Sequence, residues 1–395
     1  MSNQNKIGIE RPKGWTSQFD LYGTVKPNEN SFKINQSKEG SSYVYNSMNL
    51  GVFCGEKFGT VFADAIQGYD SAKESVIFAH GKDENGKDDY DNRIEVAWND
   101  RLDEDITKEI GLGCFIRVGL ERQSDGKLFV KNFLSAYDAI AYIKENLSTE
   151  EETPVHIKGR LKYSFYNDKV QVKKEITAIY LTDREPKDYE ATFKQSVLLD
   201  KESASAKEID KTTGVMPVSA TILDYLGKVN GVDFKAQYPF VVPMEYVFDL
   251  TNKELTTKVY NKLFKVKKGY TMITFVGNFI ESGAVIKPTL DDIPDDIKEL
   301  IDLGIYSEED ALEACADNGS RVRRMVLVKP EIRLDDEKNA IVQLFTEAFD
   351  DGDLDVVLPT TEETDDDEAP FDTDETVDSP TTDGDDDPMA WLNNL

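Results

Sequence analysis

Residues 155–173 read VHIKGRLKYSFYNDKVQVK, and they contain the clearest strand pattern in the chain. The odd positions are mostly apolar, and they are Val155, Ile157, Leu161, Tyr163 and Phe165. The even positions are polar or charged, and they are His156, Lys158, Arg160, Lys162 and Ser164. Alternation with a period of two predicts a strand that buries one face and exposes the other. Because turn residues and a second alternating run follow, the stretch is predicted to form a β-hairpin.

Two other stretches repeat this pattern. They are GCFIRVGLERQSDGKLFVK at 113–131 and GYTMITFVGNFIESGAVIK at 269–287, each with a turn containing Asp, Asn or Gly between two apolar runs. We expect the hairpin at 113–131 to close one barrel and the hairpin at 155–173 to open the next. The hairpin at 269–287 is expected to close that second barrel.

The remaining body consists mostly of short runs of β-branched and aromatic residues between Gly, Asn and Asp turns. This predicts a mostly β fold with minor α-structure. The helical patterns are few and short, at 106–110, 136–146, 253–262, 295–303, 307–317 and 336–349. We therefore predict a first barrel module at 1–150, a second at 151–290, a small helical and strand extension at 291–350, and a tail at 351–395.

Acidic residues are concentrated at the end of the chain. The 395 residues carry a formal net charge of −30, and residues 351–395 hold 17 acidic and no basic side chains. In contrast, residues 151–290 hold 21 basic and 18 acidic side chains. Overall acidity therefore says little about what the folded part binds.

The sequence predicts a cytoplasmic protein without membrane partners. No apolar run reaches the roughly 18 residues of a membrane-spanning helix. The first residues lack the apolar core of a secretory signal. Three scattered cysteines, Cys54, Cys114 and Cys315, cannot form a disulfide framework, which fits a reducing compartment.

The tail is rich in Asp, Thr and Pro and poor in apolar residues, so residues 351–395 are predicted to be disordered. Its last residues differ, because an apolar tip follows an acidic run. The predicted partner-docking residues are Asp385, Asp386, Asp387, Met389, Trp391 and Leu392. A Trp is costly to expose without a use, which favours a docking peptide. The alternative is a solubilising tail with accidental apolar residues.

Short strands with one helix in each module fit the five-stranded Greek-key barrel called the OB-fold. Such a body followed by an acidic tail resembles the single-stranded DNA-binding proteins of bacteria and phages, especially the longer phage members. In that family the tail ends in acidic residues, a Pro and an aromatic, and here residues 385–391 read DDDPMAW. This chain departs from the family by placing four more residues, 392–395, after Trp391.

The resemblance implies a protein that coats single-stranded DNA with little sequence preference during phage DNA replication or recombination in a bacterial host cell. It also implies that the tail recruits replication or recombination proteins. The alternative function is an acidic scaffold, or a DNA mimic that binds a nucleic-acid-processing enzyme. A mimic is expected to spread carboxylates over its folded surface, whereas here the second module is near neutral and the tail holds 17 acidic and no basic side chains.

Binding of single strands needs cations for the phosphates and aromatic faces for the bases. In the second module, the candidates are Lys158, Arg160, Lys162, Tyr166, Lys169, Lys173, Lys174, Phe264, Lys265, Lys267, Lys268 and Tyr270. In the first module, Tyr43 and Tyr45 share one face of a strand and are added to them. The alternative is that these lysines only keep exposed strands soluble and protect sheet edges.

The sequence indicates no catalytic site, metal site or cofactor. GKDENGKD at 81–88 resembles a phosphate-binding loop, but Asp88 occupies the position that needs Ser or Thr. The two histidines, His80 and His156, and the three cysteines show no zinc-site spacing. A Cys–His nucleophile pair is formally possible, but no orienting group is evident in the sequence. We therefore predict that the protein is not an enzyme.

Overall fold

A computed structural model describes residues 9–166, 169–229, 232–282, 298, 301, 322–334, 340–342, 349–350, 352–356 and 358. The strands within these residues are β1 (Ser17–Val25), β2 (Phe32–Gln36), β3 (Tyr43–Phe53), β4 (Thr60–Asp70), β5 (Val76–Lys82), β6 (Asp88–Ala97), β7 (Ile116–Arg122), β8 (Leu128–Phe133), β9 (Thr153–Tyr166), β10 (Lys169–Leu181), β11 (Glu190–Leu199), β12 (Val215–Val229), β13 (Val232–Val247), β14 (Thr271–Ser282), β15 (Val322–Pro330), β16 (Ile332–Leu334) and β17 (Ala340–Val342). The α-helices are α1 (Glu104–Glu109), α2 (Ala136–Asn146) and α3 (Lys253–Leu263). The predicted mostly β fold class is confirmed.

Five strands form the first barrel. In ring order they are β1, β3, β4, β10 and β9, and β9 pairs back to β1. All of these pairings are antiparallel except that of β4 with β10, where Asp64 meets Glu175 in parallel register. This order, with α2 preceding β9, the fourth of these five strands along the chain, is the Greek-key arrangement of the OB-fold.

A second ring repeats the first. Its strands are β11, β12, β13, β15 and β14, with β14 pairing back to β11. The parallel contact recurs between β13 and β15, where Glu245 lies opposite Val326, and α3 precedes β14, the fourth of these strands along the chain. The two barrels share one 13-stranded sheet, because β1 pairs with β11 from Ser17 to Tyr22.

The pairings change the role expected for two of the hairpins. The hairpin of β9 and β10 completes the first barrel, where we expected it to open the second. The hairpin of β7 and β8 lies beyond β10 at the end of the sheet instead of closing a barrel. The first barrel therefore extends past residue 150 to Leu181, because β5 to β8 are inserted between its third and fourth strands. A hairpin pattern shows that two strands pair with each other, but not which further strand they join.

Three predicted helices, at 106–110, 136–146 and 253–262, correspond to α1, α2 and α3. The prediction at 336–349 is wrong at 340–342, because these residues form β17 and pair with β16. Residues 298 and 301 are helical, as the prediction at 295–303 requires, and 307–317 lies outside the described residues. No helix in the described part of the chain is long and apolar enough to cross a membrane.

The start of the predicted tail belongs to the folded body. Leu354 is only 7% exposed and packs with Leu198, Leu223 and Met272. Leu358 packs against the main core. The predicted boundary at 351 is therefore too early, since an apolar anchor follows it. Residues 359–395, including all six predicted docking residues, lie outside the described residues.

Candidate nucleic-acid interface

The outward face of β9 carries the candidate site. Val155, Ile157 and Leu161 are buried, as the alternation predicts. Between them, Arg160 and Lys162 are exposed and Lys158 is half-buried. The sequence therefore places three cations in a row along one strand, with their backbone fixed by apolar side chains beneath it.

Contacts with neighbouring strands determine which of these cations are available to bind a phosphate. Lys158 lies opposite Asp20 of β1, and their Nζ and Oδ1 atoms are 3.3 Å apart. Arg160 lies between Gln18 and Glu175, and its Nη2 donates to the Gly113 carbonyl at 3.4 Å. Among the described residues, no carboxylate forms an ion pair with Lys162 or Lys169.

Asp20 holds two side chains of the β9 face. His156 Nε2 lies 2.8 Å from Asp20 Oδ1, on the same side as Lys158. Burial alone would raise the pKa of Asp20, but the His156 hydrogen bond and the Lys158 charge together lower it. Asp20 is therefore ionised at neutral pH and offsets the charge of Lys158.

An aromatic stack borders the face. The rings of Tyr22 and His156 are stacked with centroids 3.8 Å apart, and the Arg184 guanidinium lies 3.4 Å from the Tyr22 centroid. Since both neighbours lie within 4 Å of the ring centroid, the Tyr22 ring is engaged inside the protein and is less available to stack on a base. Sequence analysis missed it, although Tyr22 and His156 both occupy outward positions of the alternation.

The turn between β9 and β10 adds an aromatic side chain. Tyr166 is 39% exposed and pairs with the exposed Lys169 across the hairpin. Lys162 lies four residues before Tyr166 on the same strand, roughly 13 Å away at the rise of a β-strand. The hairpin therefore presents an exposed ring with cations on both strands.

Two predicted cations of β10 are already engaged in the protein. Lys174 is buried, and its Nζ forms an ion pair with Glu281 at 2.8 Å, so its prediction as a contact residue is wrong. Lys173 is partly buried near Asp64 and Glu175. Burial lowers the pKa of Lys173, although the two carboxylates oppose this shift.

The predicted cluster at 264–270 consists of exposed lysines and of aromatic residues that are buried or half-buried. Lys265, Lys267 and Lys268 are exposed in the segment between α3 and β14. Phe264 is 1% exposed, with Tyr246 and Phe275 ring centroids at 4.9 and 5.8 Å, so it is a core residue and cannot stack on a base. Tyr270 is half-buried and meets Phe349 edge-on. Three of the five residues thus remain candidates as cations.

Tyr43 and Tyr45 share one face of β3 as predicted, with centroids 6.4 Å apart. Tyr45 is buried and Tyr43 is exposed. Tyr43 pairs with Asp70, six residues along β4 from the point where β10 joins that strand. That separation is roughly 20 Å at the rise of a β-strand. The structure therefore does not bring these tyrosines together with the cations of β9.

A sequence family described as YorF matches residues 84–308, which is more than half of the chain. The chain belongs to the YorF family. The matched region contains the whole β9–β10 hairpin and the cluster at 264–270.

No curated protein matches the sequence of this YorF-family chain. Among solved structures, it is similar to the wild-type single-stranded DNA binding protein from Thermus aquaticus. The identity is 11%, the match covers 68% of this chain and 86% of that chain, and the TM-score is 0.28. A likeness this distant does not bear on function, so the site must be judged on its own geometry.

Proposed function

We propose that this YorF-family protein binds single-stranded DNA through the β9–β10 hairpin, with little sequence preference. The observation that carries the proposal is the row of Arg160, Lys162 and Lys169 beside the exposed ring of Tyr166. Among the described residues these three cations form no ion pair with a carboxylate, so they can neutralise phosphates, and an exposed ring stacks on any base. Lys158 has a weaker role, because Asp20 offsets its charge.

The proposed interface is an outward sheet face and a hairpin. In OB-folds generally, the connection between the fourth and fifth strands of the ring takes part in binding oligonucleotides. In this chain that connection is the turn between β9 and β10, with Tyr166 and Lys169 at its ends. The position of the cations within the fold therefore agrees with their proposed role.

A triple variant tests the proposal. Arg160→Ala, Lys162→Ala and Lys169→Ala together are expected to weaken binding of labelled oligo-dT at least tenfold, measured by fluorescence anisotropy. If each contacts one phosphate, the negative slope of log K against log salt also becomes shallower by about 2, at roughly 0.7 per contact. Circular dichroism checks that the fold is retained.

A matched control removes the same charge elsewhere. Lys73, Lys108 and Lys127 are exposed and pair with nearby Asp70, Asp105 and Asp125. Replacing these three by Ala is expected to leave the affinity and the salt slope nearly unchanged. Equal affinities for the two triple variants would contradict the proposal. A third variant at Lys265, Lys267 and Lys268 measures the contribution of the second barrel.

We further propose that the protein acts in phage DNA replication or recombination in the host cytoplasm, as a binding protein and not as an enzyme. Support comes from the resemblance of residues 385–391 to the tails of phage and bacterial single-stranded DNA-binding proteins. Trp391→Ala is expected to leave oligo-dT affinity unchanged and to abolish co-purification of a replication or recombination protein. Unchanged co-purification would contradict the role of the tail.

A further inference from the structure

A cysteine, a histidine and an aspartate meet in the strands inserted into the first barrel. Cys114 Sγ lies 3.2 Å from His80 Nδ1, and His80 Nε2 lies 3.3 Å from Asp88 Oδ1. His80 is on β5, Asp88 begins β6, and Cys114 ends a short 3-10 turn before β7. The three side chains are thus joined in one chain of contacts, thiol to imidazole to carboxylate.

The backbone holds this arrangement in place. The Gly111 amide donates to the His80 carbonyl at 2.8 Å, and the Gly113 amide donates to Asp88 Oδ1 at 3.1 Å. A Cβ on Gly111 would lie 2.4 Å from Asp88 Oδ1 and 2.6 Å from His80 Cδ2. Glycine at 111 therefore allows the turn to approach both side chains closely.

The contacts favour a reactive thiol. When Asp88 accepts the Nε2 proton, the His80 Nδ1 atom is left to accept the proton of Cys114. The backbone amide of His80 also donates to Cys114 Sγ at 3.3 Å, which stabilises negative charge on sulfur. Other ionisable groups near the site are Tyr90, whose ring centroid lies 4.4 Å from that of His80, and Arg160, which donates to the Gly113 carbonyl. In the pairing of β5 with β6, Arg93 lies opposite His80 and Lys82 lies opposite Asp88.

We propose that Cys114 is an activated nucleophile and that this site takes small uncharged electrophiles. In the reaction with iodoacetamide, a sulfur–carbon bond forms, the carbon–iodine bond breaks, iodide leaves and His80 keeps the thiol proton. Asp88 is a positioning residue, because it acts through His80. The proposal is independent of nucleic-acid binding.

The test is the rate of alkylation by iodoacetamide, followed for each cysteine by peptide mass mapping of the full-length protein. The reference is Cys114 in the same protein unfolded in guanidinium, where no histidine or aspartate is held beside the thiol. Native Cys114 is expected to react about fivefold faster than this reference at pH 6.5, because His80 accepts the thiol proton. Cys54 is an internal control, because it is 1% exposed and burial raises its pKa to about 12.

Two variants separate activation from simple packing. His80→Gln is expected to lower the native rate at pH 6.5 to the reference value or below. Asp88→Asn, which retains an oxygen acceptor for the Gly113 amide, is expected to lower the rate partly. Circular dichroism checks folding, and if His80→Gln does not fold, the test rests on the wild-type rate against the reference and on the rate of Asp88→Asn. A native rate no faster than the reference at pH 6.5, or an unchanged rate in folded variants, would overturn the proposal.

Discussion

Asp64 lies on β4 where that strand meets Glu175 of β10. Burial raises the pKa of its carboxyl from 3.8 to about 6, although Lys173 opposes the shift. Because the folded protein holds this proton more tightly than the unfolded chain, Asp64 contributes stability below about pH 4 that is lost as the pH rises through 6. At neutral pH, the ionised carboxyl of Asp64 therefore lowers the free energy of unfolding relative to a neutral side chain at this position.

Asp64→Asn is expected to raise the free energy of unfolding at pH 7.5 relative to wild type. The advantage over wild type is expected to grow by up to about 3 kcal/mol between pH 4 and 7.5, since a shift of one pKa unit corresponds to about 1.4 kcal/mol. Urea unfolding at both pH values measures the change. A difference between variant and wild type that does not vary with pH would show that Asp64 has an ordinary pKa in the fold.

An ion pair between Lys174 of β10 and Glu281 of β14 connects the two barrels. Their 2.8 Å ion pair is buried, and the Glu281 amide donates to the Phe58 carbonyl at 2.8 Å. Lys174→Met leaves Glu281 buried, and the remaining cation that pairs with it among the described residues is Arg323, at 4.0 Å. Loss of one partner of a buried pair costs about 3–5 kcal/mol, whereas an apolar replacement of both is often neutral. Urea unfolding is expected to show the single variant less stable than Lys174→Met with Glu281→Met, and the reverse order would contradict this assignment.

At the scale of the element, Gly159 determines how β9 fits between its neighbours. A Cβ at this position would lie 1.9 Å from the Glu175 carbonyl oxygen and 2.5 Å from the Phe19 ring. Gly159→Ala is therefore expected to destabilise the protein by about 1–3 kcal/mol, as overpacking does. The matched control is Gly227→Ala, because a Cβ at Gly227 would meet the Tyr225 ring at an ordinary contact distance of 3.8 Å. Gly126→Ala is not suitable, because Gly126 has a positive φ of 84°. Equal unfolding midpoints for Gly159→Ala and Gly227→Ala would contradict the close approach.

Elements were predictable from the sequence where a local period determines them. The alternation at 155–165 gave the buried and exposed faces of β9, and the helical pattern at 136–146 coincides with α2. Ring order was not predictable, because the pairing of β4 with β10 joins residues more than a hundred positions apart. For the same reason the ion pair of Lys174 with Glu281, which makes Lys174 unavailable to a ligand, could not be predicted from the sequence. In the sequence, Asp88 only shows that residues 81–88 do not form a phosphate-binding loop. Its contact with His80 could not be predicted, because that contact depends on how β5 and β6 pair.

At the scale of the whole molecule, the acidic tail is attached to the second barrel. Leu354 packs among Leu198, Leu223 and Met272, and Leu358 packs against the main core, so the chain is anchored on the body up to residue 358. Residues 359–395 carry 14 acidic and no basic side chains. Tethering gives such a segment an effective concentration in the millimolar range near any basic surface it can reach.

Deletion of residues 359–395 is therefore expected to tighten oligo-dT binding, because it removes carboxylates that compete with phosphates for the β9–β10 cations. The gain is expected to be largest at low salt and to shrink as screening increases, since the Debye length falls from about 30 Å at 0.01 M to about 8 Å at 0.15 M. Fluorescence anisotropy at several salt concentrations measures the affinity for oligo-dT.

The matched control keeps the tail length and replaces its 14 acidic residues by Asn and Gln. Competition by charge predicts that this neutral tail behaves like the deletion. Deletion from 351 would also remove Leu354 and is expected to lower stability, so that a loss of binding in that variant would reflect the fold. If the neutral tail binds DNA as weakly as wild type while the deletion at 359 binds more tightly, the tail acts by steric exclusion, and electrostatic competition is contradicted.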